Sequence, residues 1–457
     1  MAPVNIAGQP ILATRELRRQ GVDATLLEYT TADGHVFGYQ HDQVVSMQGR
    51  HRMDVQVETL RQCLDAGYDI FHFWMATLFG GYRYGNMFGL DLPFIKARGR
   101  RIVYRGTGFD LRIPSVHAAK NPGLPALREA MDLRVDEATQ RTFIEYLRDY
   151  VDLFIVQDPE LHEYLPEARV VPRAVDLNLW RREEVKDTDR PLIVHAPSKS
   201  ALKGSDLLES TLRELEAEGL RFELKVITGM RHDEAVQWYR RADIIVDQLL
   251  IGWYGVLTLE GLAMGKPVVV YVREDLFDRF TPRIPIQNAP PGKLKEALRE
   301  LIADPRRRRE LAAAGPDFVR EVHDVRKIAA MLRDIYAEVM EMPMRVPDGH
   351  ADLEHFLAQF KLLEDRETLL ALQFKARSYD ALMTELPALR FRARKYGEAR
   401  DRLRSLQFKA RSYDALLSEL PALRFRARRY DEMRVEHGRI RETLSAARRA
   451  LHGKAAP

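Results

Sequence analysis

ADIIVDQLLIGWYGVLTLEGLAMGKPVVVY, residues 242–271, is the stretch on which the fold turns. It reads as a buried strand over Ile244–Asp247, a glycine-bearing turn, a helix entered near Leu257, a Gly-Lys-Pro break and a second buried strand. One acid, Glu260, stands between Leu259 and Gly261 in a run that is otherwise apolar. Gly255 lets the backbone approach a ligand closely. The free N–H groups of the first helical turn, with the helix dipole, form an anion site. A carboxylate in the first or second turn is favoured by that dipole and can accept hydrogen bonds from a ribose diol. The plainer alternative for Glu260 is a helix N-terminal acid with only a capping role.

The same alternation extends on both sides. PLIVHAPS, FELKVITG and KPVVVYV each read as a buried strand followed by a turn and a helix. Upstream, strands are expected at Val4–Ala7, Ala24–Glu28, Asp69–Phe73, Arg101–Tyr104 and Leu153–Val156. Helices are expected up to Gln20 and over Val55–Ala66. The pattern restarts near residue 170, in ARVVPRAVDLNLW (168–180), and a helical stretch over Asp317–Met340 closes the body. Strand–helix alternation implies parallel, doubly wound sheets. The expected organisation is a Rossmann-like domain at 1–170, a second at 171–341, a Pro/Gly-bearing linker at 342–350 and a tail at 351–457. Ligands of open α/β sheets bind beyond the carboxyl ends of strands, and a cleft between two such sheets is the expected site.

Composition bounds the class. The chain has 457 residues, 46% hydrophobic and 30% charged, as a globular protein with a sizeable core requires. One cysteine, Cys63, excludes an intramolecular disulfide and suits a reducing compartment. No basic region followed by a long apolar stretch opens the chain, and no run of ~18 apolar residues occurs, so neither a leader nor a membrane span is expected. The net charge of +4 is unevenly spread. Residues 351–457 carry about 23 Lys and Arg against about 15 Asp and Glu, roughly +8, which leaves roughly −4 for the body.

The tail is a repeat. LQFKARSYDAL occurs at 372–382 and again at 406–416, and LRFRAR recurs at 389 and 423, a 17-residue unit used four times. Leu372, Ala376, Tyr379, Met383 and Leu386 form a helical seam, which Pro387 and Pro421 should kink. The seam suits a coiled coil that self-associates or docks on the body. Phe374, Phe391, Phe408 and Phe425, each flanked by basic residues, suit instead an anionic bilayer surface. No folded nucleic-acid reader motif is present.

A second anion candidate is HAPSKSALKGSDLLES (195–210), which follows a strand and opens a helix with Ser198, Lys199, Lys203 and Gly204. Lysines in a strand-to-helix loop suit a diphosphate as point charges. Taken alone, the loop is equally a solvated surface. Together the two segments resemble the C-terminal half of retaining GT-B glycosyltransferases, in particular glycosyltransferase family four. Lys203-Gly204 matches the family's lysine-glycine pair, and YGVLTLEGLAMGKPVV (254–269) its nucleotide-binding block. VVPRAVDLNLW (170–180) is similar to the interdomain segment, and 320–340 to the returning last helices. The likeness covers roughly residues 1–340, strongly after 168.

The resemblance implies an α/β fold of two Rossmann-like domains facing across a cleft, here with a C-terminal helical coiled-coil extension. It implies transfer of a sugar from a nucleotide-diphosphate-sugar to a glycan, glycolipid or protein acceptor, without a metal or other cofactor. By analogy the setting is a bacterial envelope polysaccharide or lipid-linked glycan. The expected location is cytoplasmic or peripheral on the inner face of the membrane, with oligomers formed through the tail. Lys203 and the amides near Gly255, Val256 and Leu257 would hold the diphosphate, and Glu260 the ribose. Ser198, Lys199, Gly204 and Gly229 complete the donor set. Gly8-Gln9 resembles the family's glycine loop, and His72, in YDIFHFW (68–74), a cleft-facing histidine. His72, Lys203 and Glu260 form the catalytic set, though a satisfied core histidine is the equal alternative for His72. Arg105 and Asp110 stand where many members carry a histidine near the acceptor.

Two departures qualify the resemblance. The family's second glutamate falls at Gly252, so sugar contacts pass to Asp247 or Gln248. The usual arginine falls at Ser198, where Lys199 stands in for the charge. Competing readings are a sugar-nucleotide epimerase or phosphorylase of the same fold, and a catalytically weak body on a helical assembly scaffold.

Overall fold

The computed structural model describes residues 1, 3–30, 39–48, 52–80, 89–121, 137–183, 187–277 and 282–344. The chain divides into two compact units, Met1–Gly349 and His350–Pro457. The second unit, and with it every expectation for the repeat tail, lies outside the described residues.

Within the first unit two parallel sheets form the scaffold. Strands β3 (Ile70–Trp74), β4 (Arg101–Gly106), β5 (Leu153–Val156) and β6 (Arg169–Val170) make one, in that order; β1 (Leu27–Thr30) and β2 (Gln43–Ser46) pair beside it as a separate ribbon. The other sheet has β7 (Leu192–His195), β8 (Glu223–Val226), β9 (Ile244–Val246), β10 (Val268–Val270) and β11 (Gln287–Asn288) in the order β11-β10-β9-β7-β8. β4, β5, β9 and β10 are buried along their whole length. Helices cover both faces of such strands, so β5, β9 and β10 read as continuous apolar runs. The α/β fold class is as the sequence implies.

The second sheet reverses direction between β7 and β9, with β8 on one side and β9, β10 and β11 on the other. Chains leaving these two strands diverge and open a crevice between them. The Val256–Ala263 helix starts at that crevice and packs beneath it into the core formed by Trp253, Leu259, Leu262, Val268 and Phe318.

Two elements differ from expectation. Val4–Ala7 is not a strand: Ala7 and Gly8 take positive φ (50° and 66°) and fold Ile6–Gly8 into a 3-10 turn leading into the Gln9–Arg19 helix. The closing helix is two helices, Pro305–Val322 and Val325–Glu341. Asp324 separates them because its carboxylate accepts the Arg326 N–H and caps the second helix. The break also receives the chain from the first sheet: Val175 N–H donates to His323 O and Val325 N–H to Val175 O.

Around this junction the first sheet's loops carry buried charge. Arg173 pairs with Asp158 and Arg112 with Glu160, and all four side chains are nearly inaccessible. Farther out, residues after β9 and β10 meet the first sheet's helices directly. His117 Nε2 lies 3.1 Å from Ile251 O, Tyr271 Oη donates to Asn121 Oδ1, and Arg273 forks onto Glu163. Among the described residues no helix is long and apolar enough to cross a membrane.

Candidate functional site at the sheet reversal

The crevice between β7 and β9 gathers its polar groups from three strand ends. The loop after β7 leads to the short Ser200–Lys203 helix, which carries Lys203. His195 secures that loop, with Nδ1 at 2.9 Å from Val246 O and Nε2 at 2.9 Å from Ser205 Oγ. Lys203 Nζ reaches Asp247 Oδ1 (2.8 Å) and Gln248 Oε1 (2.7 Å). Asp247 Oδ2 accepts from the Gly255 and Thr258 N–H groups and from the Thr258 hydroxyl. Burial raises the Asp247 pKa, but Lys203, Thr258 and Gly255 outweigh it and hold the carboxylate below its ordinary value.

This arrangement revises the expected anion cradle. The Gly255 amide is already used by Asp247. The N–H groups of Val256 and Leu257, the first two helical residues, have no partner among the described residues, and both residues are partly exposed. They and the Lys203 ammonium are the hydrogen-bond donors at the crevice that an anion could use. A Cβ at Gly255 would lie 2.7 Å from Asp247 Oδ2 and 3.2 Å from Lys203 Nζ, so only glycine lets the three groups converge.

Asp247 and Gln248 do not reach out toward a sugar. Asp247 is 1% exposed with both oxygens engaged, and the Gln248 amide donates to Trp253 O while accepting from Lys203. Position 252 has no room for a glutamate. Gly252 sits at φ 88°, and Asn121 Oδ1 lies 2.7 Å from where a Cβ would be. Ser198 and Lys199 are exposed at the start of the loop; Gly204, in left-handed conformation, packs against Leu249, and Gly229 is exposed beyond β8.

Glu260 lies one turn deeper, 6% exposed. Its Oε1 is 2.9 Å from His232 Nε2, and its Oε2 has no hydrogen bond among the described residues. Burial raises the Glu260 pKa, and His232 opposes the rise. For His232 itself burial lowers the pKa, but the bond to Glu260 more than offsets it and the net shift is upward. Tyr39, Trp180 and Tyr239 surround the imidazole at centroid distances of 5.0, 5.8 and 6.5 Å. Tyr39 comes from the first sheet's side and rests against Gly8, where a Cβ would fall 2.9 Å from its ring. Sequence reasoning missed His232. Its one signal was position, directly beyond the carboxyl end of β8, beside β7.

The remaining expected residues turn inward. His72 is 2% exposed, with Nδ1 2.6 Å from the Tyr336 hydroxyl and its ring stacked on Trp74. It lines a partly open pocket of about 290 Å³ with Tyr336 and Cys63, away from the crevice between β7 and β9. Burial, with Arg105 nearby, holds its pKa well below the ordinary histidine value. Arg105 is 1% exposed and donates to Val171 O and Pro172 O. Asp110, fully buried, accepts from the Thr107 and Gly108 N–H groups and from the Tyr104 hydroxyl. Gln9 makes a two-way amide pair with the backbone of Ala174. These four side chains are buried and bonded inside the protein; His72 Nε2 and Arg105 Nε and Nη1 have no hydrogen-bond partner among the described residues, but all three atoms are sealed from solvent.

Comparison with known proteins agrees with this architecture. Residues 209–334 match a family model described as glycosyl transferase-like. No curated protein matches the chain's sequence. Among solved structures, the sucrose-phosphate synthase of Thermosynechococcus elongatus superposes with a TM-score of 0.51 at 15% identity, over 72% of this chain and 92% of that one. Anabaena HepE, solved with UDP and glucose, superposes with a TM-score of 0.50 at 13% identity, over 74% and 98%. The chain therefore has the GT-B fold of glycosyltransferases, with a glycosyl transferase-like segment at 209–334 that spans the crevice helix and most of the second sheet.

Proposed function

We propose that the chain transfers a sugar from a nucleoside-diphosphate sugar to an acceptor, with retention at the anomeric carbon, in the manner of glycosyltransferase family four. One observation carries the proposal. Lys203, two helix-terminal amides and a Glu260 oxygen, the last three without a hydrogen-bond partner among the described residues, lie at a single sheet reversal. Residues 171–341 would hold the donor and residues 1–170 face the acceptor. The Val256 and Leu257 amides and Lys203 bind the diphosphate and stabilise the charge that develops on it as the glycosidic bond breaks. Glu260 Oε2 accepts from the pentose diol. These groups need no metal for that work. Anabaena HepE, of the same fold, was solved with UDP and glucose, which supports a nucleotide-sugar as the donor class. A bacterial envelope glycan or lipid-linked acceptor, handled in the cytoplasm or at the inner membrane face, fits the basic repeat tail.

The competing reading is a catalytically weak body. It is favoured by Gly252 and by the Lys203–Asp247 ion pair, which neutralises part of the cradle's charge. Calorimetric titration with UDP, GDP and ADP tests binding, with Lys203→Ala and Glu260→Ala as controls. Binding by at least one, weakened about tenfold or more by either substitution, supports the site. Slow hydrolysis of the matching nucleotide-sugar separates an enzyme from a binder. Failure of all three nucleotides to bind sinks the proposal.

A further inference from the structure

Glu260 is a buried acid that must stay an acceptor to serve as a diol ligand, and burial pushes it toward protonation. One of its oxygens is engaged by His232 and the other has no hydrogen bond among the described residues. We infer that His232 is the positioning residue of the pentose subsite: its Nε2–H holds Oε1, which fixes the carboxylate plane and presents Oε2 to the ligand. This rests on the donor site proposed above.

The surroundings of His232 fit that role. It opens the His232–Arg241 helix, beyond β8, and reaches across the crevice to the Val256–Ala263 helix. Its side chain is 24% exposed, against 8% for Glu260, so it stands between the acid and the solvent. Trp180, Tyr239 and Tyr39 leave the ring little freedom to turn away. The titratable and charged groups facing the pair are Asp233 and Tyr239 on the same helix, Tyr39 from the opposite side, and Asp247 beyond Glu260. Of these, Asp247 and Tyr39 offer Glu260 no compensating positive charge. His232 alone among them donates a hydrogen bond to it among the described residues.

The test is titration of the full chain with UDP, GDP and ADP at pH 6, 7 and 8.5, for the wild type, His232→Phe, His232→Gln and Glu260→Gln. The phenylalanine keeps an aromatic ring inside the collar but removes the donor. Glu260 should then protonate more readily, so affinity falls about tenfold at pH 6 and recovers toward pH 8.5. The glutamine keeps an N–H donor and should stay within about threefold of wild type at each pH. Glu260→Gln should bind weakly with a flat profile. A His232→Phe protein that binds like wild type at pH 6, or that loses affinity equally at every pH, overturns the inference even if Glu260→Gln weakens binding. If no nucleotide binds the wild type, the inference and the proposed function fall together. Circular dichroism of each variant identifies any that does not fold, and the glutamine variant then decides: a tenfold loss there with native spectra counts against a role for the N–H alone.

Discussion

The two sheets place similar polar residues on or just beyond their strands and use them in opposite ways. At the ends of β7, β8 and β9, Lys203, His232 and Glu260 converge on a crevice and keep some exposure. Around β3 and β4, His72, Arg105 and Asp110 point into the protein, where Tyr336, Val171 and the 107–108 turn bond them away from solvent. The difference is topological. The second sheet reverses its winding between β7 and β9, so the loops there part and leave a gap. Strands β3 to β6 run on in sequence order without a reversal, and the junction at 171–175 with the last helix covers their face. A polar side chain of these sheets can meet a ligand only where the fold leaves it some exposure, as it does for Lys203 and His232 and not for His72 or Arg105.

The largest effect that would sharpen this contrast is expected at the buried charges of the junction. Asp158→Ala leaves Arg173 buried without its carboxylate, at a cost of about 3–5 kcal/mol in urea unfolding. Wild-type stability in that variant would show these groups to be free rather than structural. Next comes Lys203→Met, which strips Asp247 of its cation and should lose about 2–3 kcal/mol at neutral pH. The sign of its pH dependence follows from the lowered Asp247 pKa. The stabilisation is present above the unfolded aspartate value, about 3.9, and is lost as pH falls through the lower folded value. The gap between wild type and Lys203→Met should therefore be widest near neutrality and close in acid.

Gly255→Ala pushes a methyl into Asp247 Oδ2 and should cost about 1–3 kcal/mol while abolishing the thermal shift given by a nucleotide. A variant that keeps the shift would show that the cradle lies elsewhere. The smallest effect is expected for His72→Phe. Loss of the bond to Tyr336 should cost about 1 kcal/mol and leave nucleotide affinity unchanged, as isothermal titration would show. A large drop in affinity would erase the contrast between the two sheets.

Much of this architecture was legible from local pattern. The apolar runs at Leu153–Val156, Leu192–His195 and Val268–Val270 lie in strands because three- or four-residue apolar segments rich in Val and Ile between turns have few other fates. Lys203 and Glu260 stood out because a lysine in a strand-to-helix loop and an acid in an apolar helix are both out of place in a core. His232 did not, since its importance arises only when β8 docks beside β7 and carries it to a helix 24 residues further on, Val256–Ala263. Asp247 read as the end of a strand; its cap on a helix begun nine residues later depends on the return of the chain at Gly255. Val4–Ala7 has strand-like composition, but the turn at Ala7 and Gly8 is driven by entry into the next helix, not by the segment itself.

The contacts of Ile251, Tyr271 and Arg273 with His117, Asn121 and Glu163 lie on the very loop that opens the Val256–Ala263 helix or on the strand exit beside it. The crevice mouth and the seam between the two sheets are thus one mechanical part. Any pivot about residues 171–175 must unfasten those latches first, and unfastening them frees the backbone at 251–255, on which the first-turn amides depend. The contacts that fasten the seam therefore also hold the backbone from which the first-turn amides start.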